Sequence, residues 1–450
     1  MQEIVAALTR RRLLAGVATT LVLLPARAQE QARSTVADDG FRLLRAGFAG
    51  LMAKGQNRAP IAMCGYDGVT PGPVLRVKRG EQVRVRLING LPWETSIHWH
   101  GVRVPNAMDG VPHLTQAPVA SHASFNYRFT APDAGTFCYH AHGPGQRERG
   151  LVGALIVEEP EPVAVDRDVL LVLADSRSGS VDSTAEGGPP PLPSPGQADR
   201  EPPAVNGQTS LDIAVRANER IRLRLVNASP LRPMSLRLDP HRATVMAIDG
   251  QPAEPFVARD HRVGLAPGNR LDLFIEMTLE PGAEAPLHLA TAQGEVAIAR
   301  FRYEAGAPVR AAPLPDPKPL PANPLPQRIP LQNAHRLDVA IDRAARPWIP
   351  AKAAASGQFG PPLFTVKRGR TVVLGFANRG DPAVLHLHGH HVRLLDNLDD
   401  GWKPFWLDTL MVAQQIARIA FVADNPGKWL IEARAVQGDD AGMATWFEVT

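Results

Sequence analysis

Three short stretches place two histidines one residue apart: Ile97-His98-Trp99-His100-Gly101, Cys138-Tyr139-His140-Ala141-His142 and Leu385-His386-Leu387-His388-Gly389. In a β-strand, residues two apart point to the same face, so each stretch presents two imidazoles side by side. Neutral imidazole is a natural ligand for copper and zinc. The three pairs hold six of the chain's 14 histidines, and that concentration points to one shared metal site. The other histidines read more blandly. His113 reads as a surface residue and His241, in Asp239-Pro240-His241, as a hydrogen-bonded turn residue, while His390 and His391 merely extend the third stretch. Nine methionines are scattered, with no methionine-rich segment to gather cuprous ions. No serine-nucleophile motif or phosphate loop competes.

The elements that must carry these pairs read as strands. Helical periodicity is scarce beyond the first 30 or so residues, whereas apolar alternation punctuated by 43 prolines and 38 glycines is common, which favours all-β sandwiches. One layout occurs three times: Val83 to Asn89, Ile221 to Asn227 and Val372 to Asn378 are each an alternating run that ends in asparagine. Repetition at intervals of about 140–150 residues predicts three related sandwich domains. A chain of 450 residues is too long for a single core and fits two or three. The prolines of residues 307–330 predict an extended linker, and a softer boundary falls near Glu158 to Pro162. The expected domains are therefore 36–160, 161–306 and 331–450. The proline-rich stretch Gly187 to Pro203 reads as a long loop inside the second.

At the N-terminus, Thr9-Arg10-Arg11-Arg12-Leu13-Leu14 precedes an apolar run, and Ala26-Arg27-Ala28 offers a small-x-small cleavage site. Residues 1–28 resemble a twin-arginine signal peptide, which implies export in the folded state to the periplasm. No later segment reads as a membrane span. The formal charge of +4 is small for this length and its basic residues are dispersed, which argues against a nucleic-acid partner. Cys64 and Cys138 are the two cysteines. In an oxidising compartment they could pair, and two buried free thiols are an equal reading.

The stretch from Tyr66 to Val157 resembles the first domain of multicopper oxidases. Its markers are Tyr66-Asp67-Gly68-Val69-Thr70-Pro71-Gly72-Pro73, the His98 and His140 pairs, Met108-Asp109-Gly110-Val111-Pro112 and Gly150-Leu151-Val152-Gly153-Ala154-Leu155. The second domain is similar in Arg222-Leu223-Arg224-Leu225 and Ile248-Asp249-Gly250. The third is similar in His386-Leu387-His388-Gly389-His390, Asp408-Thr409 and Asn425-Pro426-Gly427-Lys428-Trp429. The resemblance implies three cupredoxin-like Greek-key sandwiches with a copper cluster clamped between the first and third. It makes His98 and His386 ligands of a single copper, and His100, His140, His142 and His388 ligands of a copper pair. Asp109 matches an acidic residue that supports proton supply.

Departures from the family pattern are concentrated in one strand. Trp429-Leu430-Ile431-Glu432-Ala433-Arg434 has the frame of a blue-copper strand, a site built from a thiolate, two histidines and a weak axial methionine. Ala433 stands at the thiolate position, Ala383 and Gly438 at the two histidine positions, and only Met443 remains. Glu432 and Arg434 replace two histidines of the cluster. A carboxylate can ligate copper, so Glu432 is a possible substitute ligand; a guanidinium has no lone pair to offer. Alternatively, Glu432 and Arg434 pair with each other or with Asp109. The expectation is a copper-binding oxidoreductase with fewer than four ions, or none, and no electron-entry site, acting on a small molecule or metal ion. The alternative is a non-catalytic cell-envelope or division-associated scaffold with a protein partner.

Overall fold

The computed structural model describes residues 36–49, 63–175, 202–342, 347–395, 401, 403–436 and 442–450. The expected signal peptide, nearly all of the proline-rich stretch from Gly187 and the position of Gly438 lie outside the described residues.

Three pairs of stacked β-sheets follow one another along the chain. In the first, Cys64–Tyr66, Arg42–Phe48, Gln82–Asn89 and Ser124–Thr130 form one sheet, and Leu75–Lys78, Val152–Glu158, Gly135–Ala141 and Ile97–His100 form the other. The second spans Arg167–Ala174 to Gly294–Tyr303, and the third His335–Ala340 to Met443–Val449. Each has its own apolar core, packed around Trp99 and Tyr127 in the first, Phe301 and Leu223 in the second, and Trp429 and Phe447 in the third. These are cupredoxin-like Greek-key sandwiches, and the fold is all-β.

The asparagine repeat has a physical basis. Each alternating strand pairs in parallel with the strand that opens its domain: Gln82–Asn89 with Arg42–Phe48, Glu219–Asn227 with Arg167–Ala174, and Arg370–Ala377 with His335–Ala340. The asparagine at its end is buried in all three cases. Its side-chain oxygen accepts from the backbone N–H two residues on, at Leu91, Ser229 or Gly380, each at 3.0 Å. Its amide donates to two carbonyls: Trp93 and Val119, Arg232 and Leu265, or Asp381 and Val412. One side chain thus closes the turn and ties it to a distant loop, satisfying backbone groups that burial would leave costly.

The proline-rich stretch 307–330 forms no strand or helix and lies along the other domains. Asn323 is buried and donates to the carbonyl of Ala134 in domain 1 and the side chain of Gln251 in domain 2, while Arg79 and Arg103 donate to the Ala322 and Pro324 carbonyls. No helix among the described residues is long and apolar enough to cross a membrane.

Candidate metal centre between domains one and three

The strand Ile97–His100 pairs antiparallel with Gly135–Ala141, placing His98 opposite His140. Ile97, Trp99, Phe137 and Tyr139 enter the domain 1 core, so alternation turns His98, His100 and His140 to the opposite face. Domain 3 repeats this. Leu385, Leu387, Ile431 and Ala433 enter its core, leaving His386 and Glu432, which lie opposite each other on Ala383–Leu387 and Gly427–Ala435, on the other face. The two faces meet, and Nε2 of His98 lies 3.1 Å from Nε2 of His386. All six histidines predicted from spacing come together here. His98, His100, His140, His386 and His388 are buried, and His142 is nearly so.

The outward hydrogen bonds decide what the rings present inward. His98 Nδ1 lies 2.9 Å from the Asp109 carbonyl and His386 Nδ1 3.1 Å from the Asp408 carbonyl. A carbonyl only accepts, so both Nδ1 atoms carry hydrogen, and in neutral rings the apposed Nε2 atoms are both lone pairs. The same conflict recurs between His140 and His100. His140 Nδ1 donates to the Ala141 carbonyl at 3.0 Å, and His100 Nε2 donates to the Thr409 hydroxyl at 3.0 Å. Their inward nitrogens then face each other as lone pairs at 3.4 Å. Burial holds His140 and His100 well below the ordinary histidine range and lowers His386 to about 4, so these rings are neutral near pH 7. The facing lone pairs of His140 and His100 repel, unless a cation lies between them, and His98 and His386 bring two more inward nitrogens to 3.1 Å. The donor set fits a metal ion.

Asp109 ties the domains together. It follows the short 3-10 turn Asn106–Met108 and precedes Gly110, whose φ of +81° and closeness to the Ile97 carbonyl leave no room for a Cβ. Its Oδ2 accepts from His388 Nδ1 at 2.9 Å, and its Oδ1 lies 3.2 Å from His98 Nδ1. Burial alone would raise this carboxyl, but His388 and His98 hold it well below the usual carboxylate range. Burial likewise pushes His388 down, yet Asp109 and Glu432 lift it to about 9.

His142, His388 and Glu432 form a second grouping whose ligand atoms lie within 4.8 Å of one another. The Glu432 carboxylate is 3.6 Å from His388 Nε2 and 3.8 Å from His142 Nε2. Neither nitrogen of His142 has a hydrogen-bond partner among the described residues, and burial lowers it to about 3. Arg434 does not pair with Asp109. It lies 3.8 Å from Glu432 and makes its hydrogen bond, at 3.1 Å, to Glu148. Ala433 and Met443 are buried in the apolar core of domain 3, and Ala383 is buried as well. Cys64 and Cys138 are buried, unpaired thiols in domain 1. His113 is on the surface, and His241 Nε2 bonds the Tyr303 hydroxyl at 2.7 Å. Sequence reasoning did not assign roles to Glu148, Thr409, Asp408 and Arg270. The one available signal was a charge such as Arg270 at the head of the apolar strand Arg270–Met277.

Three cupredoxin-like domains, with an imidazole cluster between the first and third, define a class of copper proteins. Residues 52–162, 183–283 and 328–450 each match a multicopper oxidase domain family. A multi-copper oxidase from Pseudomonas thermotolerans is 32% identical, with a TM-score of 0.77 over 91% of this chain and 98% of that one. One from Pseudomonas parafulva is 30% identical, with a TM-score of 0.74 over 91% of this chain and 100% of that one. The multicopper oxidase MmcO of Mycobacterium tuberculosis is 28% identical across 84% of this chain and 82% of its own length. The chain belongs to the multicopper oxidase family, and the family implies copper.

Proposed function

We propose that this protein is a periplasmic copper-binding oxidoreductase with a residual cluster and no type 1 electron-entry site. The observation that carries the metal reading is the apposition of lone pairs at His140–His100, with the inward nitrogens of His98 and His386 3.1 Å apart beside it. His98, His100, His140 and His386 would hold copper in an all-imidazole pocket, and His142, His388 and Glu432 would hold a second ion. Copper bound there would supply one-electron redox chemistry. Asp109, hydrogen-bonded to His388, is positioned to hold and pass a proton beside the cluster.

Loss of electron entry is inferred from Ala383 and Ala433, which have no donor atom in their side chains and are both buried, Ala433 within the apolar core. Without a thiolate there is no route for substrate electrons of the laccase kind, so turnover of that type is absent. A substrate, small molecule or metal ion, would have to meet the cluster directly. Export by the twin-arginine pathway rests on Arg10-Arg11-Arg12 and the apolar run after it.

Copper analysis of protein matured in the periplasm tests this reading. The expected result is copper bound at fewer than four ions per chain, with no intense band near about 600 nm, because thiolate-to-copper charge transfer needs the missing cysteine. Four ions, or a blue band, overturn it. The scaffold alternative is favoured by the apolar filling around Ala433. A strain carrying His98→Ala and His386→Ala with an unchanged phenotype would select it.

A further inference from the structure

Domain 2 gives no histidine to the cluster, yet one of its arginines governs two of them. Arg270 has no solvent exposure and donates through Nη1 to Asp408 Oδ1 at 2.9 Å and through Nη2 to Asp408 Oδ2. The same guanidinium is held by the carbonyls of Gly268, at 2.9 Å, and Thr136, at 3.3 Å. A two-pronged guanidinium contact fixes both the position and the plane of a carboxylate. Asp408 Oδ1 in turn accepts the Thr409 hydroxyl hydrogen at 2.7 Å. Having given its hydrogen to the carboxylate, that hydroxyl can only accept from the rings. His100 Nε2 and His386 Nδ1 both lie 3.0 Å from it.

The direction of every bond in this chain is therefore forced from the arginine outward. We propose that Arg270, Asp408 and Thr409 are positioning residues that select the tautomer of His100 and reinforce the one the Asp408 carbonyl sets for His386, leaving Nδ1 of the first and Nε2 of the second free to face the cluster. The two rings are stacked, with centroids 3.7 Å apart and planes within 11°, so one hydroxyl serves both. The packing admits little play. A Cβ on Gly101, which follows His100 and has φ +82°, would lie 2.1 Å from the Arg270 guanidinium and 2.5 Å from Asp408. A Cβ on Gly268 would lie 2.9 Å from the His100 ring. Domain 2 thus holds the rings from behind, as outer groups hold metal-ligating histidines elsewhere.

The metal side of this inference rests on the proposed copper cluster; the tautomer side does not. The test uses the full chain with 15N-labelled histidine, first without metal and then titrated with cupric ion. Wild-type protein is expected to carry hydrogen on Nε2 of His100 and on Nδ1 of His386. Thr409→Val, which keeps the shape and removes the acceptor, and Arg270→Lys, which keeps the charge and removes the fork, should both shift the His100 ring signals most, since the Asp408 carbonyl still holds His386, and leave His241, bonded to Tyr303 away from the cluster, unmoved. Both should also weaken cupric-ion retention about 10–100-fold and change its paramagnetic hyperfine splitting. If Arg270→Lys does not fold, Thr409→Val decides alone. Unchanged ring signals in the folded variants overturn the proposal. Shifted ring signals in a protein that takes up no copper uphold the positioning role and overturn the metal reading.

Discussion

His388 and Asp109 join the third domain to the first through a bond in which neither side chain is exposed: His388 Nδ1 donates to Asp109 Oδ2 at 2.9 Å. The pair lies across 279 residues of chain, so it forms only when the two sandwiches dock. It also orients the His388 ring, turning Nε2, which has no hydrogen-bond partner among the described residues, toward the Glu432 carboxylate at 3.6 Å. Breaking one partner of a buried charged pair costs about 3–5 kcal/mol, because the other is left uncompensated. Asp109→Ala is expected to lower unfolding stability by that order in denaturant titration of the metal-free protein. Metal retention should fall about 10–100-fold alongside it. A variant as stable and as well loaded as wild type would show that the contact is incidental.

Glu432 divides the centre chemically. The groupings His98–His100–His140 and His98–His386–His388 do not include it, whereas the grouping that brings in His142 is completed by Glu432 beside His388. Glu432→Gln keeps the volume and removes the charge. We expect it to reduce the metal count by one ion per chain while the ion at His98 and His386 keeps its paramagnetic signature. Elemental analysis with spin resonance on the same sample separates the pockets. Retention of the full metal count would mean that Glu432 is not a ligand and serves only Arg434.

His241 provides a pH-dependent contribution to stability away from the cluster. Burial lowers it to about 4, and its Nε2 bonds the Tyr303 hydroxyl. Unfolded, it titrates near 6.5, so between these values the unfolded chain binds more protons than the folded one. Stability contributed by neutral His241 is complete above about pH 6.5. It declines as pH falls toward about 4 and changes no further below that. The shift corresponds to about 3 kcal/mol. Subtracting the stability–pH curve of His241→Gln from that of wild type should leave this slope and no other. A flat difference would mean the ring is already solvated.

The imidazoles were legible because a period of two is a local property: Trp99, Tyr139 and Leu387 declare the core face, and the histidines between them must take the other. The asparagine repeat was legible for a similar reason, its strands differing from expectation by a residue or two at their ends. Arg270 with Asp408 and Arg434 with Glu148 were not, since their partners lie 138 and 286 residues away and nothing in local patterning selects them. Of the expected alternatives for Arg434, the ion pair with Glu432 is present at 3.8 Å, longer than the bond to Glu148, and Asp109 is taken by histidines.

Ala433 permits the most direct question about electron entry. It is fully buried on Gly427–Ala435, paired with Leu385 on one side and Met443 on the other, in a core shared with Trp348 and Phe447. A thiol placed there would have no imidazole at Ala383 to complete a site, so Ala433→Cys alone should give no blue band after copper loading. It should also cost about 1–3 kcal/mol if the packing has closed over the position. Adding Ala383→His supplies one nitrogen from the neighbouring strand, where Ala383 pairs with Ala435. If an open copper pocket persists, the double variant gains visible charge-transfer absorption with little loss of melting temperature. If the core has closed, it loses several degrees and stays colourless. The buried state of Ala383, Ala433 and Met443 favours the second result. A blue, stable double variant would show that the electron-entry site was vacated without being filled.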